Sequence, residues 1–132
     1  MFMRRALALA QHAETQGEVP VGALVVLDSV VVGEGWNRSI SACDPTAHAE
    51  IQALRAAATA LRNYRLTDAT LYVTLEPCEM CLGAMFHARI GRAVFGAVDP
   101  KKQLLKSQVV LQGGVLAAEC GALMSAFFAA RR

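Results

Sequence analysis

No uninterrupted apolar run in this sequence approaches the roughly 18 residues that a membrane-spanning helix needs, although apolar side chains make up 55% of it. A chain so apolar and without a span has to bury its hydrophobes internally, and 132 residues suffice for one domain with a substantial core. The start, Met1-Phe2-Met3-Arg4-Arg5-Ala6, superficially suggests a secretory leader. Its apolar part is broken at Gln11 and His12 and no small-residue cleavage site follows, so a helix and a cytoplasmic protein are expected. Charge is scarce too. The net value of +2 announces no nucleic-acid partner, and any such partner would be held by local clusters, with Lys101-Lys102 and Arg131-Arg132 as candidates. Four cysteines are too few for a disulfide scaffold. No internal repeat, low-complexity tract or linker divides the chain, so residues 1–132 read as a single domain.

What is present is a concentration of metal-seeking side chains between Asp44 and Cys81. His48-Ala49-Glu50 is followed by Pro77-Cys78-Glu79-Met80-Cys81. That is one imidazole and two thiolates, with a carboxylate two residues beyond the imidazole. Zinc takes four donors, and a site with three from protein keeps a position open for water. Bound water loses a proton far more easily than bulk water. Glu50 is the carboxylate that the His-x-Glu spacing places beside the metal, and proton transfer is the task it suits.

Hydrophobic patterning gives the frame. Residues 2 to about 16 carry Leu7, Ala10 and Ala13 at helical spacing, and Gly17 is a fitting stop. Residues 21–27 form a continuous apolar run, expected of a strand covered on both faces, and Asp28-Ser29 separates it from Val30-Val31-Val32 as in a hairpin. Gly33, Gly35 and the residues from Asn37 to Asp44 are expected to be loop. The next helix is expected to open at Pro45 or Thr46, capped by Asp44 or Thr46, and to run to about Leu61, with His48 and Glu50 in its first turns. Residues 69–75 read as a strand ended by Glu76-Pro77, and a short helix to about Arg89 carries Cys78 and Cys81 one turn apart. Residues 92–98 form a strand parallel to 69–75 because a helix connects them. A short strand over 108–111 and a helix after Gly113-Gly114, through Cys120, Leu123 and Phe127, complete the chain. The sum is an α/β three-layer αβα sandwich, with about five strands in a mixed sheet and helices on both faces.

Each signal has a plainer alternative. Cys-x-x-Cys alone also fits a redox pair or a structural zinc site, the latter wanting a fourth ligand. Cys43, just ahead of the helix, is a candidate for that ligand, but closing the site would leave Glu50 without a task. Cys120 is expected in the core. Glu50 alone also suits the positive end of a helix dipole. His12 and Glu79 read as surface residues, His87 as structural and turned from the metal, and Trp36 and Tyr64 as packing residues. Phe127 and Phe128 are adjacent helix positions and cannot both face one core.

On these residues the sequence resembles the bacterial tRNA-specific adenosine deaminases, within the cytidine deaminase-like zinc enzymes. His-x-Glu with Pro-Cys-x-x-Cys is the zinc deaminase signature. The flanks narrow it: Gly17 to Ala23, Gly35-Trp36-Asn37-Arg38, Asp44 to Glu50, Tyr64-Arg65-Leu66, Ala69 to Cys78, Gly83-Ala84-Met85, His87, Arg89-Ile90 and Val94 to Ala97. The likeness runs from about Arg4 to Asp99 and resumes at Gly114. About a dozen residues that the family carries after the position of Asp99 are absent here. The resemblance implies one zinc ion on His48, Cys78 and Cys81, with Glu50 as proton shuttle. It implies that Asn37 hydrogen-bonds the extruded base and that Ala49 backbone and Leu75 line its pocket. Phe127, Phe128, Arg131 and Arg132 are implied to meet RNA. The implied activity is hydrolytic conversion of adenosine to inosine at the first, wobble, position of a tRNA anticodon stem-loop, by a homodimer. Two rivals follow from the same residues. One is deamination of a free base, guanine or cytosine, for which a shortened loop would serve. The other is a non-catalytic, zinc-stabilised RNA-binding subunit, against which Glu50 argues.

Overall fold

The computed structural model describes residues 1–100 and 109–131. Nine elements follow in order: α1 (Phe2–Thr15), β1 (Gly22–Leu27), β2 (Val30–Trp36), α2 (Ala49–Leu61), β3 (Thr70–Leu75), α3 (Glu79–His87), β4 (Arg92–Ala97), β5 (Val110–Gln112) and α4 (Ala117–Ala129). The strands form one sheet in the order β2-β1-β3-β4-β5. β1 is antiparallel to both β2 and β3, while β3, β4 and β5 run parallel. The mixed sheet and the parallel β3–β4 pair are as the patterning predicts. The short last strand starts at Val110, two residues later than expected, and Gln108 lies outside the described residues.

Alternation along β1 explains why the run 21–27 is apolar throughout. Ala23 and Val25 pack with α2 and α3 on one face, against Ala53, Ala57, Cys81 and Met85. Leu24 and Val26 face the other way, against Met3, Ala6 and Leu7 of α1 and Cys120 of α4. This is the three-layer arrangement, with both sheet faces buried.

Two expectations fail, for physical reasons. Gly33 and Gly35 are not loop but β2, which continues to Trp36. A Cβ on Gly33 would lie 2.6 Å from Ala53 O, and one on Gly35 would collide with Ala49 O and Ala53 N. The glycines are there to let α2 lie directly on the strand, an approach that any side chain forbids. The helix expected from Pro45 or Thr46 begins at Ala49, with His48 as its N-cap. Asp44 does not cap it. Its Oδ1 accepts from the Thr46 N–H (2.8 Å) and hydroxyl (2.7 Å), and Ala47 N–H donates to Asp44 O. These local bonds offer residues 44–47 a turn in place of a helical one. A third expectation fails at Tyr64, which is 73% exposed and packs no core.

Candidate metal and catalytic site

The two helix starts build the site. His48 and Cys78 are the N-caps of α2 and α3, both in extended backbone conformation (ψ 156° and 172°). That geometry turns each side chain back across its helix start instead of along the helix flank. Cys81 follows in the first turn of α3 and is fully buried. The consequence is convergence. His48 Nδ1 lies 3.6 Å from Cys78 Sγ and 3.6 Å from Cys81 Sγ, and the three donor atoms fall within 4.8 Å of one another.

Those distances test whether zinc fits. A tetrahedral ion with Zn–S of about 2.3 Å and Zn–N of about 2.0 Å separates an S from an N ligand by about 3.5 Å. The imidazole nitrogen therefore stands from each sulfur at close to the edge length of a zinc tetrahedron. Among the described residues no fourth His, Cys, Asp or Glu joins the group. Cys43 is exposed and outside the cluster, and Cys120 is buried against the opposite sheet face. The closed, structural alternative lacks its fourth ligand.

The electrostatics suit a cation. The Cys81 S–H given to Cys78 brings the Cys78 thiol down to about 4, helped by His48. The same contact, with burial, pushes Cys81 up. Glu50, in the first turn of α2, is 4% exposed. Burial pushes its carboxyl up, and the Cys78 charge adds to the effect.

Beside these groups opens a pocket of about 260 Å³ lined by Val19, Val21, Asn37, His48, Ala49, Glu50, Leu75, Glu76, Cys78 and Asp99. The pocket thus brings Asn37, Ala49 and Leu75 together with the metal group and Glu50. Sequence reasoning missed Val19, Val21, Glu76 and Asp99. Glu76-Pro77 reads only as a strand breaker, yet the Glu76 carboxylate accepts from the Asp99 N–H at 3.0 Å and its own N–H donates to Ala97 O. It ties the ends of β3 and β4 together at the pocket floor.

The C-terminal residues lie elsewhere. Phe127 is buried, with the Arg131 guanidinium 3.5 Å from its ring centroid and Arg131 Nη1 donating to Phe127 O. Phe128 is 48% exposed. Neither lines the pocket. Arg132 and Lys101-Lys102 lie outside the described residues. His12 and Glu79 are exposed, as read from the sequence, whereas His87, expected to be structural, is exposed as well.

A histidine at one helix start facing a Cys-x-x-Cys helix, with the glutamate two residues on, is how zinc deaminases of nucleobases are built. The sequence profile of the cytidine and deoxycytidylate deaminase zinc-binding region matches residues 1–97. The chain belongs to that family, on the branch of the tRNA-specific adenosine deaminases. It is 52% identical over 144 aligned positions to the tRNA-specific adenosine deaminase of Haemophilus influenzae, covering 99% of this chain and 83% of that protein. The alignment is a dozen positions longer than the 132 residues of this chain, which matches in size the shortening read after Asp99. A solved structure from studies of A-to-I editing by tRNA:A34 deaminases at the wobble position of transfer RNA superposes with a TM-score of 0.86. It is 40% identical, covering 92% of this chain and 97% of that one. A guanine deaminase from Bacillus subtilis superposes less fully, with a TM-score of 0.71 and 42% identity over 74% of this chain and 62% of that one.

Proposed function

We propose that this chain converts adenosine to inosine at the first anticodon position of a transfer RNA by hydrolysis, water entering and ammonia leaving. The observation that carries the reading is a group of three zinc donors, two of which, His48 and Cys78, line one pocket of about 260 Å³ together with the buried Glu50 and Asn37. That volume is below the roughly 300–1,000 Å³ of sites for drug-sized ligands. It suits one extruded base, with the remaining nucleotides outside.

His48, Cys78 and Cys81 hold the zinc, which supplies activation of water. The other roles belong to the chain. Asn37 binds the base through its amide, while Ala49 and Leu75 close on the ring. Glu50 moves the protons: burial pushes its carboxyl up from the ordinary carboxylate value, which suits a group that both accepts and returns a proton. It takes one proton from the attacking water as the oxygen bonds to C6 and gives it to the ring nitrogen beside C6. It then carries the second water proton to the amino group, which leaves as ammonia when the C6–N bond breaks and C6=O forms. Extruding the base costs little, because anticodon-loop bases are already unpaired. Phe128, exposed on α4, and Arg131, whose guanidinium lies on the Phe127 ring, offer a stacking face and a cation for the flanking nucleotides.

A homodimer belongs to the same reading. Met80 and Phe86 are exposed on α3 at 36% and 43%, with the bare Gly83 between them, an apolar strip suited to a second copy. Sedimentation of the purified chain tests it. Cytoplasmic residence is also proposed, supported by an RNA substrate and by free cysteines that a reducing compartment preserves. Among the described residues no helix is long and apolar enough to cross a membrane.

The rival with an observation behind it is free-base deamination, favoured by the guanine deaminase likeness and the shortened segment. Ammonia release from an anticodon stem-loop, compared with guanine, cytosine and adenine, separates the two. Release from the stem-loop alone is expected, and release from a free base alone refutes the proposal.

A further inference from the structure

Glu18 is fully buried and takes no part in the chemistry above. Its carboxylate oxygens accept from the backbone N–H groups of Ile40 at 3.0 Å and Ser41 at 2.7 Å. Burial pushes the carboxyl up, but the backbone N–H groups of Ser41 and Ile40, the Ser41 side chain and the Arg38 guanidinium together outweigh it and hold Glu18 below the ordinary carboxylate value. A buried carboxylate kept charged by loop amides acts as a bolt between two segments, because releasing either side strands a charge.

Both bolted segments meet the pocket. Val19 and Val21, on the Glu18 side, are wall residues. The loop on the other side begins at Asn37, whose N–H donates to Val21 O at 3.1 Å. The Ser39 hydroxyl then donates to Asn37 Oδ1 at 3.1 Å. Oδ1 so engaged is held in place with one lone pair remaining, and the two Nδ2 hydrogens are the donors the amide offers a ligand. A purine presents ring nitrogens as acceptors, which an N–H donor reads and a C–H analogue fails to answer.

We propose that Glu18 is a positioning residue for base recognition: by bolting residues 40–41 to the pocket wall it holds the Asn37 amide so that Nδ2 meets an acceptor nitrogen of the substrate ring. The proposal rests on the adenosine reading for its substrate, though not for its geometry. A purely structural glutamate would contribute to stability and leave Asn37 indifferent to it.

The test is a double-mutant cycle of Glu18→Gln with Asn37→Ala, read as kcat and KM on an anticodon stem-loop, with zinc content measured for each variant. Glu18→Gln keeps the size of the side chain but sets an NH2 against a backbone N–H. The expected result is full zinc, a KM raised about tenfold, as for one displaced hydrogen bond, and a double mutant no worse than Asn37→Ala alone. Independent, multiplying losses overturn the proposal. A second readout needs no substrate: the Asn37 side-chain amide resonances move in Glu18→Gln, and the Ile40 and Ser41 amides, protected from hydrogen exchange in the wild type, lose protection. Unmoved resonances, or fast exchange at Ile40 and Ser41 in the wild type, overturn it. If Glu18→Gln does not fold, Glu18→Asp, which withdraws the same charge by one methylene, enters the cycle. A wild-type protein that makes no inosine overturns the adenosine reading alone, since the resonances and exchange still decide the positioning role.

Discussion

In the proposed mechanism Glu50 and the three donors divide the labour of the site in a way that single substitutions separate. Glu50→Ala removes the proton carrier without touching a ligand atom. It is expected to bind zinc stoichiometrically and to lose turnover by a factor on the order of 10² to 10⁴, the usual contribution of a positioned acid–base group. A variant that deaminates near the wild-type rate takes Glu50 out of this role. The cysteines predict a pH dependence of metal binding. Cys81 is pushed up by its bond to Cys78 and by burial, so a proton must leave when zinc arrives, and zinc affinity falls as pH falls. Competition with a chromogenic chelator, between about pH 6 and about pH 8, measures this linkage, and an affinity independent of pH contradicts it.

Elements place these residues, and here the close contact of α2 with β2 governs. Gly35→Ala sets a Cβ 2.7 Å from the Cβ of Gln52, besides its collision with helix backbone. The expected cost is about 1–3 kcal/mol, as for other overpacked sites, read as a lower urea midpoint. Because α2 starts at His48, zinc affinity falls with it. Unchanged stability and affinity would mean that the helix can shift freely. Glu18 makes the contribution of the 37–44 loop pH-dependent in a definite direction. Its carboxyl is held below the ordinary value in the folded chain, so its stabilisation is present above the unfolded value of about 4.3 and is lost as pH falls through the folded one. The stability gap between wild type and Glu18→Gln is expected to be constant near neutrality and to close under acid, and a gap that widens under acid contradicts the assignment.

The same elements show what the sequence made legible. The donors could be read because short-range spacing encodes them: Cys-x-x-Cys beside a helix start leaves few geometries. The strand nature of Gly33 and Gly35 could not, since their reason is a helix lying across them, and glycines with no visible partner read as loop. Asp44-Pro45-Thr46 carries every local sign of a helix cap, and its hydrogen bonds were spent on a turn instead. Glu76 and Glu18 escaped because their partners lie 23 residues on at Asp99, and 22 and 23 residues on at Ile40 and Ser41. No local pattern announces such pairings.

At the scale of the whole molecule, a zinc ion held by His48, Cys78 and Cys81 would tie the starts of α2 and α3 together. One ion would then carry both chemistry and cohesion. Both readouts converge in a single assay on the purified, zinc-loaded chain with an anticodon stem-loop bearing adenosine at its first position, with and without a chelator that strips the metal. The account predicts inosine at that position alone, abolished by the chelator and restored by added zinc. A zinc-loaded protein that binds the stem-loop and leaves every adenosine unchanged, or inosine formed at the same rate after the metal is removed, would contradict it.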